Sequence, residues 1–106
     1  MKRNFLKGKK IKFKAETIYE IEMRGPIGAA LSEIRKSEEH FHKRTKEWYY
    51  VIEGRGTICI DGRRIPLRKY DFVYIPPKSK HFAEGRMKVL AITMPPWDKK
   101  DHHVVK

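Results

Sequence analysis

The 106-residue chain has no glutamine, one asparagine (Asn4) and one cysteine (Cys59). A lone cysteine excludes an intramolecular disulfide and points to a reducing compartment. Cys59 reads as a small buried strand residue. The missing amides, set against abundant lysine and glutamate, match proteins that work at high temperature, where thermolabile side chains are depleted and surface ion pairs added. No apolar run approaches the ~18 residues of a membrane span. The basic start, MKRNFLKGKKIKFKAE, lacks the apolar segment of a secretory leader. Both absences lead us to expect a cytoplasmic protein. Acidic residues are few beside basic ones, 13 against 25, which leaves a net charge of +12. Such an excess attracts nucleic acid, anionic surfaces or small anions. Seven lysines and arginines lie in the first 14 residues, with Phe5 and Phe13 interleaved, as in some nucleic-acid binders. An edge strand with a lysine-rich solvent face gives the same pattern and guards against aggregation. We adopt the edge strand and expect neither nucleic acid nor membrane as a partner.

What is present is a string of short β-prone segments. Hydrophobic residues make up 40% and aromatics 11%, enough for a folded core. Turn signals recur at Gly25-Pro26, Gly54-Arg55-Gly56, Asp61-Gly62, Pro76-Pro77, Glu84-Gly85 and Pro95-Pro96. This spacing predicts an all-β sandwich or barrel. Alternation puts Ile11, Phe13 and Ala15 on one face, and Tyr19, Ile21 and Met23 on another. A helix-like window at Leu31–Glu39 has no convincing cap and is set aside. Glu47–Glu53 is nearly solid apolar and ends at glycine, so both its faces are expected to be covered. TICIDGRRI reads as strand, Asp-Gly turn and return strand. Eight to ten short strands leave an open edge unless the sheet closes, so a barrel is the economical solution.

The chemistry concentrates in EEHFHKRTKEWYYVIEGRG. In a strand, residues i and i+2 share a face, so His40 and His42 point together. Two neutral imidazoles on one face can bind one cation. A hairpin pairing Phe41–Lys43 with Glu47–Tyr49 is expected to return Glu47 to His42. Glu47, a charged residue leading into a buried strand, needs a partner. His81, after IPPKSK, is the candidate third imidazole. The competing description is a solvated hairpin rich in Glu38, Glu39, Lys43, Arg44 and Lys46.

These residues resemble the cupin superfamily. Its first motif, G-x5-H-x-H-x3,4-E-x6-G, is matched by His40, His42, Glu47 and Gly54, with Ile34 in place of the opening glycine. Its second, G-x5-P-x-G-x2-H-x3-N, is matched by Pro76 and His81, with Tyr70, Lys78 and Gly85 at the remaining positions. The resemblance implies a double-stranded β-helix, often dimeric. It implies a divalent transition metal (Mn, Fe, Co, Ni, Cu or Zn) held by His40, His42, Glu47 and His81. One domain is expected over residues 1–106, with the metal-site core at about 28–94, a basic N-terminal strand at 1–16 and a C-terminal tail at 95–106.

Tyr49 and Val51 share the face of Glu47, and Tyr49 is a candidate contact for a bound molecule. Val73 and Ile75 are placed on the facing sheet. Trp48, Tyr50 and Ile52 then face outward, where a homodimer is expected. Lys78 and Lys80 either draw anions to the barrel mouth or are plain loop charges; the second reading is preferred. His102 and His103 are adjacent, so they face opposite ways and chelate one ion poorly. The tail is expected to pack Trp97 on the barrel. Three functions follow. The first is a metal-dependent enzyme acting on a small polar or anionic molecule, with dioxygenase, isomerase, decarboxylase and epimerase chemistry all open. The second is a non-catalytic binding or sensor protein. The third, less favoured, is a nucleic-acid-associated basic protein.

Overall fold

The computed structural model describes residues 2–21 and 25–105. It contains strands β1 (Lys9–Lys12), β2 (Glu16–Ile21), β3 (Gly28–Lys36), β4 (His40–Phe41), β5 (Lys46–Ile60), β6 (Arg63–Arg68), β7 (Phe72–Ile75), β8 (His81–Met94) and β9 (His103–Val104). Among the described residues the helical pieces are single 3-10 turns, Phe5–Lys7 and Lys99–Asp101. Every strand pair is antiparallel. One run of neighbours is β1-β2-β3-β8-β4-β9, and β5 lies on β8 and carries β6 and β7. This is the all-β, double-stranded β-helix class. The helix-like window falls largely within β3.

Two long strands set the frame. β5 and β8 pair from Lys46↔Met94 to Ile60↔His81, with a bulge between Val51 and Glu53. Strand twist accumulates over such a length, and a bulge adds bend, so the pair curls instead of lying flat. Gly54 follows the bulge at φ 81°, and a Cβ there would lie 2.1 Å from the Arg86 carbonyl oxygen. Only a residue without a side chain lets β5 pass its partner here. The strand expected to stop at this glycine therefore continues to Ile60 before the Asp61-Gly62 turn delivers β6. β1 is an edge strand rich in lysine.

The interior divides in two. Val51, Ile58 and Val89 are fully buried and pack with Ile34, Leu67, Ile75 and Met87 as an apolar core. Each such side chain contributes about 1.5–3 kcal/mol by leaving water. Val73 packs against this core, and Cys59 is buried and free. Towards the other end the buried side chains turn polar: Ser32, His40, His42, Glu47, His81 and Thr93.

The face that alternation groups on β2 is not kept intact. Glu16, Ile18 and Glu20 line an interior cavity, while Lys10 lies over the Tyr19 ring at 5.8 Å. This wall bounds a cavity lined by both polar and apolar side chains, not the packed core, so hydrophobic periodicity is a poor guide to its inward face. Ile21 reaches the rim of the same cavity, as do Ile11 and Phe13. Met23 lies outside the described residues. On β5, Glu47, Tyr49 and Val51 are buried and Trp48, Tyr50 and Ile52 half-buried on the outer face. There Trp48 meets Tyr74 and Tyr50 meets Phe72, with ring centroids 5.3 and 6.5 Å apart.

Candidate metal centre

His40 on β4 stands opposite His81 at the start of β8. Glu47 lies near the start of β5, and His42 follows β4. All four are buried, and one donor atom from each can be chosen so that all lie within 4.8 Å of one another. The expected hairpin does not form. β4 pairs with β8 and β9, and β5 with β6, β7 and β8. The 43–45 turn instead folds around the buried carboxylate of Asp101. That carboxylate accepts hydrogen bonds from the amides of Lys43, Arg44 and Thr45 (2.9, 3.0 and 3.3 Å) and from the Thr45 hydroxyl (3.1 Å). Buried amides need an acceptor, and here the C-terminal segment supplies it in place of a partner strand. The amide of Lys78 donates to the His42 carbonyl, tying the loop before His81 to the loop after β4.

The imidazoles are oriented in one way. His40 Nδ1 donates to Glu38 O (2.8 Å), His42 Nδ1 to Asp101 O (2.9 Å) and His81 Nδ1 to Ser79 O (2.9 Å). A carbonyl only accepts, so each Nδ1 carries the proton and each Nε2 is left as the donor nitrogen for an ion. His81 Nε2 and His42 Nε2 lie 3.3 and 3.7 Å from Glu47 Oε1. Glu47 Oε1 and His81 Nε2 are nevertheless buried without a hydrogen bond. Facing orphan atoms of this kind are what a cation would satisfy.

Electrostatics differ between His40 and His81. Burial, helped by the neighbouring imidazole of His81, pushes the His40 pKa down to about 3. Burial also opposes a charge on His81, but the Glu47 carboxylate outweighs it and raises this pKa. Burial likewise resists ionisation of Asp101, yet the turn amides and the Thr45 hydroxyl hold its pKa well below the ordinary range.

A cavity of about 650 Å³ opens beside the cluster. Tyr49 lines it and is also a core residue, and burial raises its pKa well above the usual value. Lys78 and Lys80 are exposed and do not line it. Two residues absent from the sequence-based site do. Glu16, on β2, accepts a hydrogen bond from Ser32 Oγ (2.7 Å), and burial raises its pKa despite that bond. His102 stacks on His40 at 4.5 Å, with Trp97 edge-on to it at 5.8 Å. Burial lowers its pKa, and His42 adds to the effect. A lone glutamate before TIYEI and a histidine in a polar tail carry no local signal for either placement. Their alternation signal concerns only which residues face opposite ways, and His103 does face away, stacked on Phe41.

Residues 32–93 match the family model of the cupin domain, over more than half of the chain and across all four clustered side chains. The chain is a cupin. An uncharacterized protein of Methanocaldococcus jannaschii is 34% identical to it over 85 residues, 76% of this chain and 63% of that protein. This cupin spans at most 63% of the length of the curated relatives it matches. Pac13 of Streptomyces, described as a nucleoside dehydratase, superposes with a TM-score of 0.93 over 100% of this chain and 91% of its own, at 16% identity. KdgF from Halomonas sp. gives 0.76 over 90% and 93%, at 17% identity. At such identities the likeness is one of fold.

Proposed function

We propose that this cupin holds one divalent transition metal through His40, His42, Glu47 and His81, and uses it to act on a small neutral polar molecule in the adjoining cavity. The observation that carries the reading is the set of three Nδ1–H groups committed to backbone carbonyls, which leaves three Nε2 atoms and the Glu47 carboxylate to one centre. Three nitrogens and one oxygen suit Mn, Fe, Co, Ni, Cu or Zn. A bound ion would supply Lewis-acid polarisation of a ligand oxygen.

The chain's own residues do the rest. The cavity is acidic although the protein is basic: Glu16, Glu20, Glu38 and Glu47 line it against Arg3. Glu47 would be neutralised by the metal, and the remaining carboxylates, Glu16, Glu20 and Glu38, are placed to accept from hydroxyl donors. This favours the neutral branch of the expected small polar or anionic ligand. Glu16 faces the same cavity, where burial raises its pKa, and a positioned carboxyl can serve there as a general acid or base. Metal-assisted proton transfer, as in an isomerisation or dehydration, therefore suits the site better than binding alone. A structural neighbour has been solved with uridine, which makes uridine a practical probe. Metal-loaded protein is expected to show a larger thermal shift with uridine than with uridine 5′-monophosphate. A shift from the monophosphate alone would reverse the assignment of ligand charge.

A second copy of the chain is placed on the outer face bearing Trp48, Tyr50, Phe72 and Tyr74. Phe72 and Tyr74 remain 61% and 43% exposed, a large apolar surface for a monomer. Sedimentation at micromolar concentration is expected to give a dimer that Trp48→Glu dissociates; a monomeric parent removes this part of the reading.

A further inference from the structure

The ring centroid of His102 lies 4.5 Å from that of His40 and 5.6 Å from that of His42. The corresponding distances for His81, a member of the cluster, are 4.3 and 5.9 Å. A fourth imidazole thus stands against the same two rings at the same spacing, on the side that lines the cavity. Its Nδ1 is buried and has no hydrogen-bond partner. A buried imidazole nitrogen without a partner is costly unless something else binds it.

The segment that carries His102 is anchored on both sides. Upstream, the chain runs against β3, where a Cβ on Gly28 would lie 3.0 Å from Pro96 Cα and 3.3 Å from Trp97 N, and Trp97 closes edge-on over the His102 ring. Next to it, Asp101 binds the 43–45 turn through its carboxylate and His42 through its carbonyl. Downstream, β9 pairs with β4, His103 opposite Phe41. The strap from Trp97 to Val104 is therefore built into the wall of the site.

We propose that His102 is a fifth donor to the metal, brought to the cavity side of the His40/His42/Glu47/His81 group by the C-terminal strap. This rests on the metal reading given above. Four protein ligands would leave an ion that prefers five or six partners with open positions, and the His102 ring stands beside the cluster. Its donor atoms fall outside the tight group of four, so its ring would have to shift to reach the ion, which makes it the exchangeable member, displaced when a small molecule occupies its position.

The test is a calorimetric Ni²⁺ titration of tag-free protein, with the visible spectrum of the Co²⁺ form as second readout. His102→Phe keeps a ring between His40 and Trp97 and removes both nitrogens. It is expected to weaken Ni²⁺ binding at least tenfold and to change the Co²⁺ absorption, while His103→Phe stays within about twofold of the parent on both. If His102→Phe does not fold, as judged by circular dichroism, His102→Gln replaces it with the same expectation. A folded His102 variant with parental affinity and spectrum overturns the fifth donor and leaves the four-ligand centre standing. A parent that binds neither ion overturns the centre itself, and the fifth donor with it.

Discussion

The two ends of the barrel interior use the same strands for opposite purposes. On β5, Val51 is sealed in the apolar core, and Glu47, two inward positions earlier, is buried among imidazoles. On β8, Val89 belongs to the first end and His81 to the second. The apolar end needs no partners beyond packing. The polar end is held open by committed backbone groups, namely the carbonyls of Glu38, Ser79 and Asp101, together with the Asp101 carboxylate. The contrast teaches that stability and chemistry are separated along single strands, so each can be damaged without the other.

The largest effect should come at the polar end. His42→Ala is expected to lower Ni²⁺ affinity at least about a thousandfold, roughly 4 kcal/mol, with little change in apo-protein stability; titration calorimetry and thermal unfolding measure the two. A large loss of apo stability would show that the polar end also carries the fold. The core gives the converse. Ile58→Ala should cost about 3 kcal/mol in urea unfolding and leave metal affinity within a few-fold.

Acid sharpens the comparison, because the apolar end does not titrate. Folded His40 refuses a proton down to about pH 3, whereas the unfolded chain accepts one near the ordinary value of about 6.5. Stability of the apo protein therefore falls as pH drops through that window. The depressed pKa of Asp101 contributes stability that is present above about pH 4 and is lost on further acidification. The raised pKa of His81 acts oppositely: its contribution is complete below the ordinary histidine range and disappears as pH rises through its folded value. The expected net loss between pH 7 and pH 4 is about 2 kcal/mol, read from urea midpoints. A flat profile would mean that the opposing His81 contribution matches that of His40, or that His40 is protonated in the folded apo protein.

The smallest effect concerns the turns. Tyr70 and Lys78 adopt φ of 79° and 70°, left-handed geometry at two positions where the family motif has glycine. Tyr70→Gly and Lys78→Gly should each stabilise by about 0.5–1 kcal/mol. Destabilisation would indicate that contacts of the native side chains outweigh the strain.

The same two turns show how far the sequence could be read. Histidine and glutamate spacing identified four side chains that converge, and turn signals with β-rich segments identified the all-β class. The conformation at Tyr70 and Lys78 survives without glycine because the surrounding loop imposes it, with the Lys78 amide bonded to the His42 carbonyl. What stayed hidden was long-range. Asp101 replaces a hairpin partner from more than fifty positions away, and His102 enters the cavity through that same anchor. The inward placement of Glu16 and Glu20 was hidden for another reason: hydrophobic alternation reports contact with a packed apolar core, and these carboxylates face a cavity of mixed lining.

The most direct test is anomalous diffraction at the nickel edge from crystals of tag-free protein grown with Ni²⁺. The account predicts one strong peak, about 2.0–2.2 Å from Nε2 of His40, His42 and His81 and from a Glu47 carboxylate oxygen. No peak at that point, or a peak bound only by the surface histidine His103, would contradict it.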